Sequence, residues 1–85
     1  MRINRIDLEG QDGRYATIKR RRGSGFIEIT VLTPDHPGGR ECRVAAHDED
    51  ALFKQASGLF FLLEGHRGTN SDIHEYYREL QRFTD

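Results

Sequence analysis

The apolar residues of this 85-residue chain change rhythm near Asp48, and that change restricts the fold more than any other feature of the sequence. Upstream they fall on alternate positions, as in Ile27, Ile29 and Val31. Downstream they recur every three or four residues, first at Leu52, Ala56, Leu59 and Leu63, then at Ile73, Tyr77 and Leu80. A period of two lets a strand bury one face, and a period of 3.6 does the same for a helix. The spacing therefore predicts an α+β fold in the order ββββαα. A four-stranded antiparallel β-meander occupies residues 1–47, and a hairpin of two C-terminal α-helices over residues 48–85 packs on one of its faces.

A chain of this length builds one core, so residues 1–85 are read as a single small domain. Charged residues make up 32% and apolar ones only 35%, but the apolar residues are patterned, which argues against a disordered chain. The single cysteine, Cys42, excludes an internal disulfide and a Cys-rich metal framework. It alternates with Val44 on an apparent strand and is expected to be a buried, inert thiol. The opening residues lack the apolar stretch of a secretory signal, and the longest apolar run, Leu59 to Leu63, is too short to span a bilayer. These features predict a soluble cytoplasmic protein with no membrane partner. Charge is unevenly divided: residues 1–47 hold nine Lys/Arg and six Asp/Glu, residues 48–85 four and eight, so the halves carry +3 and −4. A mildly basic sheet is compatible with anion binding, and the opposed halves with polar self-association.

Turn residues set the register of the strands. A three-residue loop ending in Gly13 places Leu8 opposite Ala16 and Ile6 opposite Ile18, with both apolar pairs on one face. A four-residue loop, Arg22-Gly23-Ser24-Gly25, places Ile18 opposite Ile29 and Ala16 opposite Val31. On the other face it sets Lys19 against Glu28 and Thr17 against Thr30, combinations that stabilise a sheet by roughly 0.2–1 kcal/mol each. The segment from Thr33 to Arg40 contains Pro34, Pro37, Gly38 and Gly39 and is predicted to be neither strand nor helix. A weak fourth strand follows. The expected inner face is Ile6, Leu8, Ala16, Ile18, Ile27, Ile29, Val31, Cys42 and Val44.

Asp48 is a suitable N-cap for a first helix ending at Glu64, with Gly65 as its stop. Gly58 in its interior costs about 1 kcal/mol relative to Ala, unless a neighbour needs the missing side chain. The segment Leu59-Phe60-Phe61-Leu62-Leu63 is apolar all round, so cover on more than one side is expected. The second helix is predicted to begin near Asn70-Ser71-Asp72 and to turn Ile73, Tyr76, Tyr77, Leu80 and Phe83 inward. The open question is whether this helix or a second copy of the chain covers Phe60 and Phe61.

The sharpest local signal is the run Lys19-Arg20-Arg21-Arg22 ahead of Gly23-Ser24-Gly25. Cations at a hairpin end can follow a phosphate backbone, although alternation sends Lys19 and Arg21 to one face and Arg20 and Arg22 toward the other. Arg14, Arg40 and Arg43 extend the patch if they share its side, and Tyr15 and Phe26 are the aromatic residues available for stacking. The four histidines, at 36, 47, 66 and 74, lack the i, i+4 spacing that aims two imidazoles at one ion. Ser24 lacks the context of a nucleophile elbow, and no phosphate-loop or dinucleotide pattern occurs. The sequence thus predicts no catalytic residue, no metal site and no cofactor. The function expected from it is a non-enzymatic binding module that contacts protein or a second copy of itself through Phe60 and Phe61. The alternative is nucleic-acid binding through Lys19, Arg20, Arg21, Arg22 and Arg43.

Overall fold

The computed structural model describes residues 4–84. Four strands, β1 (Arg5–Glu9), β2 (Tyr15–Lys19), β3 (Phe26–Thr33) and β4 (His36–Ala45), form one antiparallel sheet in the order β1-β2-β3-β4. Two helices follow, α1 (Glu49–Glu64) and α2 (Asn70–Gln81). This is the ββββαα arrangement that the change of apolar period requires.

The strand registers follow from the turns. Ile6 faces Ile18 and Leu8 faces Ala16, because Gln11–Gly13 form a three-residue loop, closed by Gly10 N to Arg14 O, in which both Asp12 (φ 55°) and Gly13 (φ 77°) take left-handed conformations. Gly is suited to that region, and Asp tolerates it better than most side chains. Across β2 and β3, Ile18 pairs with Ile29, Ala16 with Val31, Thr17 with Thr30 and Lys19 with Glu28. The inner face therefore collects Ala16, Ile18, Ile27, Ile29, Val31 and Val44 in the core, with Ile6 and Leu8 half-buried beside them.

Two expectations about β4 require correction. The strand begins at His36, inside the segment predicted to be loop, so Pro34 and Asp35 alone join β3 to β4. Pro37 is tolerated because β4 is an edge strand, where a missing N–H can face solvent. Gly38 and Gly39 absorb a register shift opposite Val31–Thr33, with Gly39 at φ 90°. Cys42, expected in the core, is exposed, since the sheet ends at β4 and only one flank is available to cover it. Its thiol donates to Gln55 Oε1 at 3.4 Å, and partial desolvation of the sulfur on its α1 side pushes its pKa up.

The first helix is bounded as its sequence indicates. The Asp48 carboxylate accepts from Ala51 N, and Gly65 (φ 81°) closes the C-terminus through Gly65 N to Phe61 O. The second helix is capped by Thr69 rather than by Asn70 or Ser71. Thr69 Oγ1 accepts from Asp72 N while the Asp72 carboxylate accepts from Thr69 N, a reciprocal box readable in the spacing Thr69-x-x-Asp72. Leu52, Ala56, Leu59 and Leu63 of α1 join Ile73 and Leu80 of α2, and Phe83 just beyond it, in the same core as the strands. The opposite face of the sheet is left uncovered by either helix.

Candidate functional site

On that open face alternation places, row by row, the side chains of the odd residues of β1, β2 and β4 and the even residues of β3. One row reads Arg5, Lys19, Glu28, Arg43, and the next Asp7, Thr17, Thr30, Glu41. Beyond the first row, at the turn end of the β2–β3 hairpin, Phe26 stands opposite Ala45 with 48% of its surface exposed. Cations thus gather at one end of the face and carboxylates toward the middle.

The basic run is divided by the fold. Lys19 lies on the open face beside Glu28, and Arg21 reaches Glu28 at 3.4 Å. Arg22 is exposed on the hairpin loop, and Arg21 and Arg22 line a shallow cleft with Asn4 and Arg20. Arg20 itself is a structural tie. Its Nε donates to Ser24 O at 2.8 Å and its Nη1 to Phe83 O, so one guanidinium holds the loop and the end of α2 together. Among the described residues Lys19, Arg22 and Arg43 enter no ion pair, whereas Arg5 is paired with Asp7 at 3.2 Å. The Asp7 carboxyl is held below the usual carboxylate range. Desolvation pushes it upward, but hydrogen bonds from Arg5, Thr17 and Tyr15, with the Arg5 charge, outweigh that effect.

The other arginines considered for this patch lie elsewhere. Arg14 Nη1 donates to Leu62 O at 2.8 Å, serving an unpaired carbonyl at the C-terminus of α1, where the helix dipole favours a cation. Arg40 sits on the inner side of the edge strand at 3.2 Å from the His36 ring. Ser24 is occupied by its own turn, its hydroxyl accepting from Phe26 N at 3.1 Å.

The aromatic pair on α1 is split in the same way. Phe60 is 8% exposed: the Tyr76 ring packs edge-on at 5.6 Å, His66 at 5.5 Å, and Gly68 lies so close that a Cβ there would meet the Phe60 ring. Phe61 remains 50% exposed. The second helix therefore covers one of the two rings, and Phe61 alone is available from this helix surface. No group of three or more His, Cys, Asp or Glu among the described residues is placed to hold a metal ion. Nor, among those residues, is any helix long and apolar enough to cross a membrane.

Alternation separates Arg21 from Arg20 in the sequence itself; what it does not show is that Arg20 is engaged by Ser24 O and Phe83 O and Arg21 by Glu28, because those partners are set by the fold. Alternation alone places Phe26 on the outer face, and the structure leaves it exposed there. No family model, curated protein or solved structure matches the chain.

Proposed function

We propose that this protein is a non-enzymatic binding module that takes up single-stranded nucleic acid on the cationic end of its open sheet face. The observation that supports this reading is Phe26, half exposed on an uncovered face that also carries Lys19 and Arg43, unpaired among the described residues, with the exposed Arg22 on the adjoining hairpin loop. Unpaired cations attract phosphates, and an exposed ring offers a surface on which a base can stack. Arg20 contributes by ordering the hairpin rather than by contacting the ligand. Fluorescence anisotropy with a labelled single-stranded oligonucleotide tests it. Binding should weaken steeply as salt is raised, fall on replacing Arg21 and Arg22 with Ala, and lose about 1–3 kcal/mol with Phe26→Ala. An anisotropy that stays flat at low salt and high protein concentration overturns the reading.

A second reading is contact with protein. Two surfaces support it: Phe61 on the outer stripe of α1, and the exposed edge of β4.

A further inference from the structure

Strand β4 is ten residues long, lies at the edge of the sheet, and is exposed over His36–Gly38 and Arg40–Arg43. An edge strand carries a row of backbone groups with no partner on its outer flank, a template for another strand. Ala46 N donates to Gly25 O at 2.9 Å, which settles which groups those are. Hydrogen bonding alternates along an antiparallel ladder, so Ala46, Val44, Cys42 and Arg40 point their N–H and C=O toward β3. Glu41 and Arg43 therefore point theirs away from the sheet.

We infer that β4 pairs with β4 of a second copy, antiparallel and centred on Cys42, joining two sheets into one of eight strands. It rests on the second reading above, contact with protein, and it engages Arg43, which the nucleic-acid reading counts among its cations. The register follows from geometry and charge. Outward-pointing groups must meet outward-pointing groups, so the two-fold axis passes through Glu41, Cys42 or Arg43, or through a residue farther along the strand. Centring on Glu41 sets two carboxylates against each other, and centring on Arg43 sets two guanidinium groups against each other. Centring on Cys42 instead places Glu41 opposite Arg43 of the second copy, twice by symmetry. Both form hydrogen-bonded pairs, so four backbone hydrogen bonds accompany the two ion pairs.

Neither charge is engaged within the chain: among the described residues Glu41 and Arg43 enter no ion pair, and Glu28, the acid beside Arg43, is held by Arg21. Edge charges of a single sign would block any pairing; one of each sign, flanking a small residue, admits this register and rejects its neighbours. The two Cys42 residues then form the central non-hydrogen-bonded pair, with Cα atoms about 4.5 Å apart, within disulfide range. Through its bond to Cys42, Gln55 marks α1 as the helix nearest the axis.

Sedimentation of the wild-type chain should give a concentration-dependent mass rising toward twice 9.8 kDa. Glu41→Arg or Arg43→Glu alone should weaken self-association about tenfold or more, since each turns two attractive pairs into repulsive ones. The double exchange, Glu41→Arg with Arg43→Glu, should restore it, an outcome that misfolding cannot produce. Oxidation with glutathione disulfide at alkaline pH, where the Cys42 thiol with its raised pKa ionises, should link two chains through Cys42. Two thiols lose two protons and two electrons, and the oxidant leaves as two glutathiones. Wild-type protein that stays monomeric at high micromolar concentration removes both the inference and self-contact as a form of the second reading. If the protein dimerises, and Phe61→Glu dissociates it while the charge reversals do not, the β4 pairing is overturned and protein contact through the helix stands.

Discussion

At Gly10 the backbone comes so close to α1 that a Cβ would run into the carbonyl of Leu63. At Gly58 the opposite holds, because a Cβ meets nothing within 4 Å. The two glycines thus have opposite consequences for stability. Gly10→Ala forces the first hairpin away from α1 and should cost about 1–3 kcal/mol, the usual penalty for overpacking. Gly58→Ala removes backbone freedom from an exposed helix interior and should add about 1 kcal/mol. Denaturant midpoints of the two variants, read at low protein concentration, should move in opposite directions. Of this contrast the sequence offered only half. Gly58 was legible as a weak point of a helix, whereas the close approach at Gly10 depends on a contact between residues more than fifty positions apart.

Each helix is tied to its surroundings by a few polar side chains that periodicity does not reveal. Arg14 serves the end of α1, Arg20 the end of α2, and Tyr76 joins the helices through its hydroxyl, which donates to Glu64 Oε1 at 3.3 Å. Burial raises the Tyr76 phenol from its ordinary value of 10.0, and the neighbouring Glu64 carboxylate adds to the shift. A raised folded-state pKa means that the stabilisation is complete below the unfolded value and is lost as pH rises through the folded one. The melting temperature of the wild type should therefore fall more steeply above about pH 10 than that of Tyr76→Phe. Equal alkaline slopes would show that the phenol does not contribute. At neutral pH the same substitution should cost about 1 kcal/mol, the worth of one part-buried hydrogen bond. β4 teaches the converse lesson at this scale: Pro37 and two glycines argued for a loop, but only one flank of an edge strand has to pair.

As a whole the molecule is a sheet with one covered face, and its stability rests on the layer between sheet and helices. Leu63 is fully buried at the centre of that layer. Leu63→Ala should cost about 2–5 kcal/mol, a large share of the roughly 4–13 kcal/mol available to a chain of this length. Urea unfolding monitored by circular dichroism should show the midpoint fall with little change in slope. An unchanged midpoint would mean that Leu63 is not part of the core. Local pattern determined the two helices, the first three strands with their two registers and the faces those strands bury, because side-chain periodicity and turn chemistry act over a few residues. Only the tertiary structure decided that Phe60 is covered and Phe61 is not, that Arg20 is tied to Phe83 beyond α2, and that Cys42 lies outside the core. Those outcomes depend on where the sheet ends and how far α2 reaches, and both are set by contacts between segments distant in the chain.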